Sequence, residues 1–197
     1  RLDKFLAEVG LGSRKEVKQL IKKGQISVNQ QIEKSDKKQI DPEKDRIDYQ
    51  GETLHYQAFY YYVLHKPAGV VSATEDNRDR TVMELFSPSD SRSDLFPVGR
   101  LDKDTEGLLL ITNDGKLAHD LLSPKKHVEK EYFAEVQGVM TAADQQRFVE
   151  GILLDGEQAL PAELMIDEIT DNTSKVRIIL HEGKFHQVKR MVKACGK

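Results

Sequence analysis

The chain has 197 residues, of which 38% are hydrophobic and 32% charged, and these values exclude collagen-like and disordered chains. No apolar run approaches the ~18 residues that a membrane helix needs, so no membrane association is expected. The single cysteine, Cys195, cannot form an internal disulfide, and the first residues show no signal segment. These features predict a protein of the cytoplasm.

The charges are segregated along the chain. Residues 1–40 contain ten Lys and Arg against five Asp and Glu, and residues 184–197 contain five basic residues and no acidic ones. The net charge of the whole chain is −3, so the part between these two segments is strongly acidic. Two basic ends indicate a polyanionic partner. Charge alone fits equally well two exposed helices whose lysines only increase solubility.

The first forty residues have the pattern of two helices and a hairpin. Apolar residues at helical spacing predict a first helix that ends at Gly10, and Ser13 with Glu16 forms a capping box that begins a second one. Residues 26–32 alternate around a turn and predict a hairpin. The second helix has an apolar face of Val17, Leu20 and Ile21, and its lysines lie away from that face: Lys15, Lys18 and Lys22.

This arrangement resembles the S4 RNA-binding module, on residues 1–6, 13–16 and 23–29. The resemblance implies that Lys15, Lys18 and Lys22 contact RNA phosphates. An amphipathic helix pair without a special function is the alternative that the periodicity alone allows. Residues 34–57 are polar and rich in charge, and they are interpreted as the end of this module and a linker. The predicted domains are therefore 1–57 and 58–197.

The second domain is predicted to be α+β, with a mixed, largely antiparallel sheet, because strands outnumber helices and do not alternate with them. The predicted strands begin with the run near Phe59 and continue at 108–112, 132–136, 163–169 and 176–180. The predicted helices are 116–122, one capped by Thr141 with Asp144, and 185–195.

Residues 99–115 carry the strongest chemical signal. A charged loop that contains Asp102 precedes the apolar strand at 108–112, and a tight turn of Asn113, Asp114 and Gly115 follows that strand. A carboxylate on a loop held by a rigid strand suits catalysis. The spacing alone also fits a solvated surface loop.

Four motifs in order resemble the pseudouridine synthases of the RsuA/RluB/RluE/RluF group: residues 65–72, 99–115, 130–132 and 182–191. The resemblance covers essentially the whole chain, including the S4 module. It implies an isomerase that converts a uridine in RNA to pseudouridine, with no external cofactor and no metal. The sequence agrees with that expectation, since it has no Cys/His cluster at zinc spacing and no dinucleotide-binding fingerprint.

The resemblance also implies three catalytic residues. Asp102 reacts with the nucleotide, either as a nucleophile or by removing a sugar proton. Lys189 is its cationic partner at a position where many relatives outside this group carry Arg, and Lys cannot form the bidentate contact of Arg. Tyr132 lies against the uracil and can serve in proton transfer at C5.

Two further residues are implied to bind the substrate. Arg100 is a candidate to fill the gap that a flipped nucleotide leaves in the RNA, and Leu180 would pack on the other side of the base. For Tyr132 and Leu180 the alternative is an ordinary strand core residue.

The basic C-terminal end is expected to hold RNA through Lys184, Arg190 and Lys193. His186 is interpreted as a hydrogen-bonding or phosphate-contacting residue, since no carboxylate partner for it is visible in the sequence. Asp104 and Glu106 are interpreted as solvated or capping loop residues.

Within the group, the length and the forms of the motifs at 64–72 and 182–191 favour action on small-subunit 16S ribosomal RNA, or on a small-subunit assembly particle, by a monomer. A synthase for large-subunit RNA, a non-catalytic S4-type assembly factor and an N-glycoside hydrolase are the alternatives. The resemblance implies that relatives usually continue for some tens of residues with another strand segment, and whether such a tail is missing here stays open.

Overall fold

The computed structural model describes all residues from Arg1 to Lys197. The chain forms two compact units, Arg1–Phe59 and Tyr60–Lys197. No helix in either unit is both long enough and apolar enough to cross a membrane.

The first unit packs two helices on a small sheet. Helices α1 (Leu2–Glu8) and α2 (Arg14–Lys22) precede strands β1 (Ile26–Val28), β2 (Gln31–Ile32), β3 (Ile47–Tyr49) and β4 (Glu52–Leu54). The sheet order is β2-β1-β3-β4, and every pair is antiparallel. Leu2, Leu6, Val17, Ile21, Ile26 and Ile47 are fully buried between the helices and the sheet.

The capping box of α2 is confirmed. The Ser13 hydroxyl accepts from the Glu16 N–H, and the Glu16 carboxylate accepts from the Ser13 N–H at 2.7 Å. These bonds satisfy two of the donors that a helix N-terminus leaves unpaired.

Residues 34–57, interpreted as the end of the first module and a linker, contribute two strands to the sheet of the first unit. Strand β3 pairs with β1 along its whole length, and β4 pairs with β3. Each strand has only three residues, and Ile47 is the one that is fully buried. A single buried side chain among polar neighbours produces no visible alternation, so the sequence pattern resembles that of a linker.

The second unit contains two separate three-stranded sheets. The first has the order β5-β7-β6 and is formed by β5 (Tyr61–Lys66), β6 (Phe96–Val98) and β7 (Gly107–Thr112). Its buried side is lined by Val70, Val82, Leu95, Leu109 and Ile111.

The second sheet has the order β11-β12-β8, from β8 (Lys130–Gln137), β11 (Glu163–Thr170) and β12 (Thr173–Leu180). A two-stranded hairpin of β9 (Leu153–Leu154) and β10 (Glu157–Gln158) lies between β8 and β11 in the chain. The helices of this unit are α3 (Gly115–Leu122), α4 (Ala142–Glu150) and α5 (Gln187–Ala194). Phe148, Val176, Ile178 and Met191 are fully buried in its larger core.

The α+β class is confirmed, and every strand pair is antiparallel. The expected single sheet of the second domain is instead divided into separate sheets. The predicted helix at 185–195 begins later, at Gln187, because His186 has left-handed backbone angles of φ 48° and ψ 36°. A left-handed residue cannot continue a right-handed helix.

Candidate active site

Asp102 and Lys189 form the centre of the site. Asp102 lies in the loop that precedes β7, and Lys189 lies on α5. The Lys189 Nζ is 3.1 Å from an Asp102 carboxylate oxygen, and the Asp102 side chain is 25% exposed. The ammonium compensates a carboxylate that is partly withdrawn from water, as the resemblance implied.

Lys189 is shared between two carboxylates. Its Nζ is 2.6 Å from Asp104 Oδ1. The hydrogen bond to Asp104, and then the charge of Asp102, raise the pKa of Lys189, and the same contact lowers the pKa of Asp104. Asp104, interpreted from the sequence as a solvated or capping loop residue, is 72% exposed and in addition pairs with Lys189. Spacing in the sequence could not show it, because the two partners are 85 positions apart.

His186 also faces the site. Its Nε2 is 3.6 Å from the other oxygen of Asp102. The sequence argument that His186 has no carboxylate partner is thus corrected, again because the contact joins distant parts of the chain. The Phe185 ring stacks on the His186 ring, with 3.8 Å between the centroids.

Lys66, the last residue of β5, supports the Asp102 loop through hydrogen bonds. The Lys66 side chain is fully buried, and its Nζ donates to the carbonyls of Asp102 at 3.0 Å and Thr105 at 2.7 Å. It donates also to the carbonyls of Pro67 at 3.0 Å and Lys103 at 3.4 Å. Burial lowers the pKa of Lys66, and the nearby carboxylates, Asp104 first, oppose that shift.

Two neighbours of Lys66 complete the support of the loop. The Ser72 hydroxyl accepts from the Leu101 N–H at 3.0 Å and donates to the Leu101 carbonyl at 2.9 Å. The Gly69 N–H donates to the Lys103 carbonyl at 2.7 Å. The motif at 65–72 thus positions the Asp102 loop. The sequence marked this motif, but sequence reasoning assigned it no role.

Helix α5 is fixed by a buried polar pair. Gln187 is 4% and Glu182 8% exposed, and Gln187 Nε2 donates to Glu182 Oε1 at 2.7 Å. The same Glu182 oxygen accepts from the Leu160 N–H, and the Gln187 amide oxygen accepts from the Lys184 N–H. These bonds set the first turn of α5 and with it the position of Lys189. Sequence reasoning missed both residues, although the motif at 182–191 contains them.

Tyr132 and Leu180 lie in neighbouring strands of the second sheet. Tyr132, on β8, packs against the larger core, and burial, then the charge of Asp102, raises the pKa of its phenol. Leu180, at the end of β12, is only 2% exposed. It occupies the place of a core residue, with almost no surface free to meet a base.

The predicted RNA-contacting residues differ in whether they pair with acidic residues of the chain. Arg100 is exposed and makes no ion pair, and the same holds for Lys15, Lys22 and Lys193. Three others are already paired with acids of the chain: Lys18 with Asp36 at 3.4 Å, Lys184 with Glu157 at 2.9 Å and Arg190 with Asp155 at 2.6 Å. The sequence could not show these acidic partners, because only folding brings them near; the RNA contacts expected of the three residues stay a prediction.

An open cleft of about 440 Å³ lies over these groups. Its walls include Ala68, Asp102, Asp104, His186 and Lys189. The volume is that of sites for small organic ligands, so a nucleoside can enter it. The arrangement can present the Asp102 carboxylate, with its charge compensated, to a ligand in the cleft.

The family follows from a match to known proteins. Residues 60–194 match the family model of RNA pseudouridylate synthase, and residues 1–47 match that of the S4 domain. The chain belongs to the RNA pseudouridylate synthase family, in the form that carries an N-terminal S4 domain.

Relatives of several kinds match the whole chain. It is 44% identical to an uncharacterized RNA pseudouridine synthase, YtzG, of Bacillus subtilis (strain 168), and covers 82% of that protein. It is 38% identical to the ribosomal small subunit pseudouridine synthase A of Vibrio cholerae, with 83% of that relative covered. It is 35% identical to the ribosomal large subunit pseudouridine synthase B of Bacillus subtilis, with 80% covered. A crystal structure of a pseudouridylate synthase matches all of this chain and 83% of its own, with a TM-score of 0.61 and 37% identity.

Proposed function

We propose that the protein converts a specific uridine of ribosomal RNA to pseudouridine, and that its target lies in the small-subunit 16S RNA. The observation that carries the proposal is the contact of Asp102 with Lys189 at 3.1 Å inside a cleft of nucleoside size. Relatives named as synthases of the small and of the large ribosomal subunit both support a ribosomal target.

The reaction is an isomerisation and needs no net transfer of atoms to the enzyme. The bond between uracil N1 and C1′ breaks, a bond between C5 and C1′ forms, C5 loses a proton and N1 gains one. Asp102 serves the C1′ side, either as nucleophile or as base for a sugar proton, and Lys189 compensates its charge. Tyr132 lies against the uracil and assists proton transfer at C5.

The target nucleotide must leave the RNA stack to enter the cleft. Extrusion costs a few kcal/mol and least at an unpaired site, so a loop or bulge is the proposed target. Arg100, exposed beside Asp102 in sequence, would occupy the gap. Lys15 and Lys22 of the S4 unit, with Lys193 of α5, would hold phosphates of the same RNA or of a small-subunit assembly particle.

The choice of the small subunit rests on identity. Small-subunit relatives from Vibrio cholerae and Haemophilus influenzae are 38% and 39% identical to the chain, against 35% for the large-subunit relative. The family resemblance implies in addition that members acting on large-subunit RNA tend to be longer or to carry Arg in the motif at 182–191, which here contains Lys189. Both arguments favour 16S RNA by a small margin, so the experiment must read both RNAs.

The deciding experiment maps pseudouridines in both ribosomal RNAs by carbodiimide modification and primer extension. Cells that lack the protein are compared with cells that express wild type, Asp102→Asn or the control Asp171→Asn. Asp171 is an exposed carboxylate in the turn between β11 and β12. We expect one 16S stop to disappear in the deletion and to return with wild type and Asp171→Asn only.

Purified Asp102→Asn should also lose at least about a hundredfold in rate on a transcript of the mapped region, as expected for a reacting carboxylate. A lost stop in large-subunit RNA would overturn the 16S assignment but keep the synthase. If no stop depends on the protein, the synthase proposal fails and an S4-type assembly factor becomes the working account. Release of free uracil would instead indicate a glycoside hydrolase.

A further inference from the structure

Phe185 is a large apolar side chain in an unusual place. It is 73% exposed, yet its ring lies flat on the neighbouring His186 ring, with a centroid distance of 3.8 Å and an angle of 18° between the planes. A single exposed apolar side chain is ordinary on a protein surface. Here, however, the exposed ring is one layer of an ordered stack.

The backbone of His186 has an unfavourable conformation. With φ 48° and ψ 36°, His186 occupies the left-handed region, which is unfavourable for a residue other than glycine. His186 stands at the N-cap position of α5, where its carbonyl accepts from the Arg190 N–H but its side chain makes no capping hydrogen bond. The imidazole instead faces the cleft, where Nε2 is 3.6 Å from the Asp102 carboxylate.

The two rings together make a ledge at the rim of the cleft, here named the Phe185–His186 shelf. His186 forms part of the cleft wall, and Phe185 is stacked on His186 without lining the cleft itself. One face of the Phe185 ring is covered by His186, so the exposed surface includes the opposite face. That face is flat and apolar, and only the His186 ring joins it to the cleft wall.

The reaction that takes place beside the shelf identifies its occupant as RNA. Four of the five basic residues of 184–197 pair with acids of the chain, and Lys193, which is exposed, makes no ion pair and is available to a phosphate. Proteins bind single-stranded nucleic acids through flat aromatic rings beside cations, because bases stack on the rings and phosphates contact the cations.

We propose that the Phe185–His186 shelf stacks on an unpaired base of the RNA next to the flipped uridine, and not on the uridine itself. The proposal rests on the proposed function, because the base is defined relative to the target. The shelf would hold the neighbouring nucleotide in place while the target enters the cleft, and it would favour targets whose neighbour is also unpaired.

The first test is a binding measurement on an RNA fragment that contains the mapped uridine. Base stacking on an aromatic side chain is worth about 1 to 3 kcal/mol, so Phe185→Leu should raise Kd between about 5-fold and 150-fold. Phe185→Trp should restore binding, because it keeps the flat ring. The control is Phe133→Leu, the same substitution at a 63% exposed phenylalanine on the outer side of β8. We expect the control to change Kd less than twofold.

The second test identifies the stacked base. Each nucleotide beside the target is replaced in turn by an abasic nucleotide, and binding of wild type and Phe185→Leu is compared. At the stacked position the abasic change should weaken binding by wild type and leave binding by Phe185→Leu unchanged, since both changes remove the same contact. If the two losses add at every position, the shelf does not stack on a neighbouring base. If the abasic change and Phe185→Leu remove the same binding energy only at the target position, the shelf stacks on the uridine itself. That result would also overturn the proposal.

A third measurement separates this proposal from the synthase proposal. A short single-stranded oligouridylate with one 2-aminopurine is titrated with Asp102→Asn, which binds RNA but should not react. If Phe185→Leu in the same Asp102→Asn background abolishes the fluorescence quenching, the shelf stacks on a base. This conclusion holds even if no pseudouridine depends on the protein. Equal quenching by both proteins overturns the shelf and leaves the catalytic assignment untouched.

Discussion

Lys66 resolves a conflict that the Asp102 loop creates. The loop turns sharply, so several of its carbonyls point inward where no water reaches them, and a buried carbonyl without a donor is costly. The buried Lys66 ammonium donates to three of them, those of Asp102, Lys103 and Thr105, and also to the carbonyl of the adjacent Pro67. The loop carbonyls and the Lys66 ammonium thereby satisfy each other, and no buried carboxylate is needed to pair with the ammonium.

Replacing Lys66 by Met should damage stability and rate together. Methionine has a similar length but no donor, and leaving a buried acceptor unpaired costs about 1 to 3 kcal/mol. We expect the free energy of unfolding to fall by at least about 2 kcal/mol in urea titrations. We also expect kcat to fall by about a hundredfold, since small displacements of a reacting group are sufficient for that.

The control for Lys66 is Lys175→Met, at an exposed lysine of β12 that pairs with Glu168. It should leave kcat unchanged and stability within about 0.5 kcal/mol. A normal kcat in folded Lys66→Met would contradict the role of Lys66 in positioning the loop.

The sharing of Lys189 between two carboxylates fits its chemistry. A lysine ammonium has three donors on a flexible stem and contacts two separate oxygens without the fixed fork of arginine. Asp102 and Asp104 lie two positions apart in one loop, and both meet the same Nζ, at 3.1 Å and 2.6 Å. The lysine that the motif carries at this position is thus matched to a loop with two acids.

Among the elements, α1 depends on one buried carboxylate in its first turn. Asp3 is 1% exposed, and its oxygens accept from Arg1 Nη2 at 2.8 Å and from the Lys4 N–H at 2.9 Å. Burial by itself raises the pKa of Asp3, but the hydrogen bonds and the charges of Arg1 and Lys18 outweigh burial and lower it. The carboxylate therefore stabilises the folded first unit in its ionised form.

Asp3→Asn should lower the stability of the first unit by about 1 to 3 kcal/mol near neutral pH, as expected for loss of charge-assisted hydrogen bonds. A carboxyl whose folded pKa is lowered stabilises above its unfolded pKa, near 4, and the contribution disappears as pH falls through the folded pKa. The stability difference between wild type and variant should therefore be constant from pH 7 to about pH 5 and shrink towards pH 2. Urea unfolding monitored across this range measures it.

Asp41→Asn, at an exposed carboxylate of the same unit that pairs with Lys44, serves as the control and should cost less than about 0.5 kcal/mol. A difference for Asp3→Asn that stays constant down to pH 2 would contradict the assigned charge.

For the molecule as a whole, the free cations of the S4 unit should decide how strongly RNA binding depends on salt. Lys15 and Lys22 lie exposed on α2 without acidic partners, whereas Lys18 is taken up by Asp36. Each phosphate contact contributes about 0.7 to 0.9 to the slope of log K against log salt. The double variant Lys15→Ala/Lys22→Ala should therefore reduce that slope by about 1.4 to 1.8 and leave kcat at saturating RNA unchanged.

Lys44→Ala is the matched control, since Lys44 is an exposed lysine of the same unit that pairs with Asp41. Its slope should equal that of wild type. An unchanged slope in the double variant would exclude the α2 lysines from the RNA-binding surface.

The sequence by itself determined the class of fold and the elements that carry strong periodicity. The capping boxes of α2 and α4, strand β7 and the long strands of the second sheet follow from local pattern, because caps and alternation involve residues close along the chain. The motifs also marked Asp102 and Lys189 through their resemblance to a family, and the structure brings these two into contact.

Only the tertiary structure decided which partners those residues have. The contacts of Asp104 with Lys189, of His186 with Asp102 and of Lys66 with three carbonyls of the Asp102 loop join segments that lie far apart along the chain. The short strands β3 and β4 likewise exist because β1 pairs with β3, and nothing in their own pattern announces them. Local sequence limits the backbone, whereas ion pairs, buried donors and edge strands depend on what folding places opposite them.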